Sequence, residues 1–143
     1  MIPRPLKIAI LIFLYVATLE DTLIFLMSWF APDLWFRLFH GTLPAGLETA
    51  FLRRSAGQWL AFAIVQAIAI LRWRKAPIWL IVVAAVRFSD LFTDISYVLT
   101  AASSLTTLGW ACLLPPTLLN AIGIVIMVCG YKLLTTESTA ARF

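Results

Sequence analysis

Long apolar runs, separated by short stretches rich in proline, glycine or arginine, dominate the chain. The first covers residues 6–30, long enough to cross a bilayer, which takes about 20 helical residues. Pro3 and Pro5 precede it and suit a helix start. Lys7 can snorkel to one interface, while Trp29 and Phe30 mark the other. The second helix runs from about Thr49 to Arg72, with 53–72 as its spanning part. Gly57 and Ala61 within it form a small-xxx-small pair, which lets helices approach closely in lipid. The third span, 77–99, opens on Pro77, a good first-turn residue. Pro115 and Pro116 interrupt the fourth apolar run. The pattern places its spanning part at 116–133 and leaves 103–114 as a loop and an interfacial piece. The alternative is one long helix kinked at the prolines. Between the first two spans, Asp33 to His40, closed by Gly41, reads as a short interfacial helix. Its aromatic face (Trp35, Phe36 and Phe39) is expected to rest in the headgroup zone.

These elements predict an all-α integral membrane bundle. It has four antiparallel transmembrane helices, short interfacial helices on the outer side, and one domain over residues 1–143. Composition supports this: 62% of residues are hydrophobic and 13% charged, against roughly 45–50% and about 25% in soluble domains. A small soluble protein needs a polar surface, so lipid must face most of this one. The first run is too long for a signal-peptide core and lacks a small-residue cleavage site, so it reads as a retained helix. Cys112 and Cys129 fall toward opposite membrane faces, too far apart for a disulfide.

The net charge is +4, and the basic residues sit at the ends of apolar runs rather than in one arm. That points to the lipid bilayer as a partner and away from nucleic acid. One side collects Arg4, Lys7, Arg72, Arg74, Lys75, Lys132 and Arg142; the other has Arg37, Arg53 and Arg54. The excess puts both termini in the cytoplasm of a cell membrane, here a bacterial inner membrane. Trp73, Trp79 and Tyr131 then form an inner aromatic belt, and Trp29, Trp35 and Trp110 an outer one.

Several polar groups lie inside the spans. They are Glu20 and Asp21 in the first, Gln58 in the second, Arg87, Asp90 and Asp94 in the third, and Asn120 in the fourth. Ionisable groups at the bilayer centre cost about 2.5–3.5 kcal/mol each on insertion scales. At a rise of about 1.5 Å per residue, Glu20, Asp21 and Gln58 lie about 21 Å above the inner helix ends, Asp90 about 20 Å, Asn120 about 18 Å and Arg87 about 15 Å. Asp94 is higher, at about 26 Å, level with Arg53 and Arg54. Gln66 falls about two turns below the others and reads as separate. Arg87, Asp90, Asp94 and Tyr97 make one stripe by their spacing. Asp21 shares a small, polar face with Ala17, Thr18 and Ser28, and is expected to point inward. Glu20 is its chain neighbour and points about 100° away. The cluster is therefore a candidate ligand-binding or structural site. Acids outnumber the basic group, which leaves a carboxyl available as a proton carrier.

Catalytic and metal signatures are absent. His40 is the only histidine, and the Cys and His sets of zinc sites are lacking. No G-x-S-x-G, P-loop or metalloprotease pattern occurs. His40 reads as an interfacial residue, enzyme activity is not expected, and no cofactor is assigned.

Two stretches carry a resemblance. Residues 51–62, Phe51-Leu-Arg-Arg-Ser-Ala-Gly-Gln-Trp-Leu-Ala-Phe, and residues 86–94, Val86-Arg-Phe-Ser-Asp-Leu-Phe-Thr-Asp, resemble a helix start and the polar third helix of DoxX-like bacterial membrane proteins. Length and the four-helix plan match as well. The first helix departs, with Glu20, Asp21 and Trp29 where Gly and Lys are expected. The resemblance implies a quinone-linked or redox-complex setting.

Three functional readings follow. The chain is an accessory or scaffold subunit of a larger membrane complex. Alternatively, it binds a lipophilic molecule, such as a quinone or lipid, at the polar level. The third reading is a small proton-coupled transporter, which would need to oligomerise.

Overall fold

The computed structural model describes residues 2–140, with side chains through Thr136. Arg142, counted above in the charge asymmetry, lies outside the described residues. Every regular element among the described residues is helical: α1 (Arg4–Phe30), α2 (Pro32–His40), α3 (Gly46–Arg72), α4 (Ile78–Ala101) and α5 (Thr107–Ala140), with a 3₁₀ turn at Ala102–Ser104. Three of them, α1, α3 and residues 107–136 of α5, are long and apolar enough to cross a membrane. In α4, every 18-residue stretch contains Arg87, Asp90 and Asp94, and that charge density sets it apart.

Local chemistry fixes the boundaries. Pro32 has no N–H and disfavours helical geometry in the residue before it. Ala31 accordingly breaks α1 from α2 at φ −133°, ψ 55°. Gly41 closes α2 in the left-handed region at φ 68°, where a side chain would be strained. At the start of α3, Glu48 reaches back to accept the Ala45 N–H at 2.6 Å, which satisfies a donor that helix starts leave orphaned.

The structure corrects three sequence expectations. First, α3 begins at Gly46, several residues before the expected start. Second, α5 is one continuous helix from Thr107, so 107–114 is not a separate interfacial piece. Pro115 and Pro116 lack N–H groups, so the carbonyls of Ala111 and Cys112 lose their usual acceptor role. Polar neighbours and cavities let membrane helices tolerate this; Thr117, just after the prolines, adds its hydroxyl to the neighbouring Leu113 carbonyl at 2.9 Å. Third, Trp73 is only 1% exposed and joins the core instead of an interfacial belt.

Helix α1 packs chiefly on α3, and α4 on α5, the two pairs then closing around one interior. The main apolar core draws Ile10, Phe13 and Leu14 from α1, Leu80 and Val83 from α4, and Met127 from α5. Gly123 of α5 has no room for a side chain, since a Cβ there would lie 2.0 Å from the Phe13 ring. A second core joins Trp35 and Phe39 of α2 to Leu52 of α3. The outside is equally apolar. Ile12, Leu19, Leu23, Phe30, Leu71 and Leu99 are more than half exposed. Buried polar groups inside an apolar exterior reverse the pattern of a water-soluble domain.

Candidate functional site

The polar residues of the interior gather on Arg87. Its Nη2 pairs with Asp21 Oδ2, with both side chains 1% exposed. Its Nη1 donates to Asn120 Oδ1 at 3.1 Å and to Asp90 Oδ2 at 3.3 Å. The guanidinium also lies over the Phe62 ring, 5.5 Å from its centroid, a cation–π contact. Asn120 Nδ2 donates onward to Asp90 Oδ2 at 3.0 Å and to Asp94 Oδ2 at 3.2 Å. Thr117 adds a hydroxyl to Asp94 at 3.3 Å. Helices α1, α4 and α5 thus each supply members of one network.

The helix faces explain how these groups meet. Asp21 lies on the inward face of α1 with Ala17 and Ser28. Arg87 and Asp90 lie on the inward face of α4 with Leu80, Val83 and Ala84. Spacings of three and four keep such residues on one side of a helix.

Three sequence expectations about which residues bond to one another are corrected. Gln58 is exposed and takes no part in the network. Gln66, set apart by its level, is fully buried, and its Nε2 donates to Asp21 Oδ2 at 2.5 Å and to the Phe62 carbonyl at 2.9 Å. Rise per residue locates Cα atoms only, whereas the long arms of Arg87 and Gln66 carry their polar ends to another level. Asp94 likewise bonds to Thr117 and Asn120 and not to Arg53, whose Nε donates to the Trp29 carbonyl at 3.3 Å. Two buried atoms of the network, Arg87 Nε and Gln66 Oε1, have no partner among the described residues.

Next to this network, at the end of the bundle that carries α2, lies a cavity of about 800 Å³. Glu20, Asp90 and Asp94 line one part of it. Trp35, Phe39, Trp59 and Tyr97 wall another. Gln58 and Cys112 also face it. Glu20 is half-buried there and makes no hydrogen bond or ion pair among the described residues.

Helix α2 forms part of this wall. Trp35 stacks on Phe39 with centroids 4.2 Å apart and meets Trp59 at 5.5 Å. The aromatic face of α2 therefore turns into the protein, where the sequence pattern had put it among headgroups. His40, read above as simply interfacial, is bridged by both ring nitrogens. Nε2 meets the Tyr97 hydroxyl at 2.5 Å and Nδ1 meets Ser104 at 3.2 Å. The α5 start is tied in too, since Thr106 donates its N–H to the Phe39 carbonyl at 2.8 Å. Amphipathic α2 gave a sequence signal for this wall. Tyr97 was signalled by its place on the stripe of Arg87, Asp90 and Asp94, while Trp59 gave no signal beyond being aromatic.

Comparison with protein-family models, with curated proteins and with solved structures finds no match to this chain.

Proposed function

We propose that this chain is a four-span membrane protein that binds a small lipophilic molecule in the cavity beside α2. The observation that carries the reading is the cavity itself. Ligand sites are typically about 300–1,000 Å³, mostly apolar, with a few convergent polar groups. This one has about 800 Å³, aromatic walls and carboxyl groups converging on one part.

The membrane setting rests on several features. Helix α4 has 24 residues, enough to span, and Arg87 and Asp90 turn inward to partners instead of facing lipid. Contacts pair Trp29 with Arg53 and Asp21 with Gln66, while Arg87 meets Asn120 and Asp94 meets Thr117. In each pair of helices, residue numbers rise on one partner as they fall on the other, which supports antiparallel packing. The Lys and Arg excess near Arg4, Lys7 and Arg72 to Lys75 supports cytoplasmic termini in a bacterial inner membrane. The cavity then opens in the outer half of the bilayer.

A second reading, attachment to another membrane subunit or a second copy, is favoured by one observation. Gly57 and Ala61 are exposed and face away from the bundle, and nothing lies within 4 Å of a Cβ built on Gly57. Such a face suits close approach by another helix.

Native mass spectrometry from mild detergent tests both. The cavity reading expects an added small mass that Thr93→Trp, which fills the cavity from its wall, abolishes. A bare polypeptide mass in both proteins overturns it. A fixed complex with a second chain, lost in Gly57→Leu, supports the second reading.

A further inference from the structure

The residues lining the cavity carry a one-sided charge. Four carboxyl side chains line it, those of Glu20, Glu48, Asp90 and Asp94, and no lysine or arginine does. The nearest cation, Arg87, is already taken by Asp21, Asp90 and Asn120. Glu48 is held by its contact to the Ala45 N–H. Glu20 and Asp94 remain as cavity-facing carboxyl groups with no cationic partner among the described residues. A carboxylate in low dielectric is costly unless it is paired, and a cation brought between these two supplies the partner they lack, with attraction that weakens little with salt. The aromatic wall adds to this. Trp59 and Tyr97 are only partly buried and line the same space, and rings of this kind attract cations through their faces. An anionic headgroup or phosphate would meet four carboxyls, no lysine or arginine, and a single histidine, His40, whose ring nitrogens are already engaged by Tyr97 and Ser104. A neutral quinone would bring these carboxyl groups no charge partner.

Resting on the cavity reading above, we propose that the ligand is a lipophilic organic cation, its apolar body against Trp35, Trp59 and Tyr97 and its positive centre beside Glu20 and Asp94. Glu20 is the primary charge partner because it makes no hydrogen bond or ion pair among the described residues.

Tetraphenylphosphonium and tetraphenylborate are near-equal in size and shape and opposite in charge, and decylubiquinone supplies a neutral comparison. Binding of each to the whole protein in detergent micelles is followed by quenching of tryptophan fluorescence and by thermal stabilisation. Micelles lacking the protein correct for partitioning. The expected result is tetraphenylphosphonium binding at least about tenfold tighter than tetraphenylborate. Glu20→Gln should weaken it at least about fivefold without lowering the unliganded melting temperature. Asp94→Asn should act in the same direction. Equal affinity for the two ions, or a decylubiquinone affinity that is highest and indifferent to Glu20→Gln, would overturn the cation assignment and leave the cavity reading standing. Absence of binding by all three probes would overturn both.

Discussion

Arg87 of α4 and Asp21 of α1 are joined in the interior, each only 1% exposed. Neither could be left alone there. Removing one partner of a buried pair strands the other charge and costs about 3–5 kcal/mol. Arg87→Ala should therefore lower stability by about that amount, measured by denaturant titration in micelles. Arg87→Met with Asp21→Asn removes both charges, so its cost should fall short of the sum of the single changes, with a coupling of about 0.5–3 kcal/mol. An Arg87→Ala protein as stable as wild type would show that the pair contributes nothing to the fold.

The two glutamines of α3 should behave oppositely. Gln66 is buried and donates to Asp21, so Gln66→Leu should cost about 1–2 kcal/mol. Gln58 is exposed on the cavity wall, so Gln58→Leu should change stability by less than about 0.5 kcal/mol. Melting temperatures of the two variants, compared under one set of conditions, check this. Equal losses would mean that Gln58 has structural contacts of its own.

This contrast also shows what the sequence could convey. Hydropathy located the long helices, because lipid demands continuous apolar runs whatever their packing. Residue spacing put Arg87, Asp90 and Asp94 on one stripe, and the small-residue face of α1 turned Asp21 inward. Periodicity reports a face and not a partner. The choice of Gln66 over Gln58 depended on side-chain reach and on how far α3 slides against α1, and no local pattern encodes either. The cavity was hidden for the same reason. It forms only when α2 folds Trp35 and Phe39 back against α3, and from sequence that amphipathic face suited a membrane surface equally well.

The α1–α5 contact gives a test of packing. A Cβ on Gly123 would lie 2.0 Å from the Phe13 ring, and both residues are in the interior. Gly123→Ala should destabilise by about 1–3 kcal/mol through overpacking. Phe13→Leu should recover part of this in the double variant, although alone it opens a cavity and is itself destabilising. Thermal melting of the four proteins in a cycle gives the coupling. Strict additivity would mean that the two helices do not meet at this point.

Topology decides whether α4 crosses the membrane. Its 24 residues are sufficient in length, but Arg87, Asp90 and Asp94 leave it no 18-residue stretch with fewer than three ionisable groups. If those charges are satisfied by Asp21, Asn120 and Thr117 before they meet lipid, α4 can lie across the bilayer at little cost. Single cysteines are introduced at Leu43, Arg74, Ser103 and Thr136 after Cys112 and Cys129, both exposed, are replaced by alanine. An impermeant maleimide applied to intact cells should label Leu43→Cys and Ser103→Cys directly. Arg74→Cys and Thr136→Cys should react only after permeabilisation. The Ser103 and Arg74 positions flank α4, so their reacting from the same side would mean that α4 turns back without crossing. The cavity walls contributed by Asp94 and Tyr97 would then have to be assigned to a different depth.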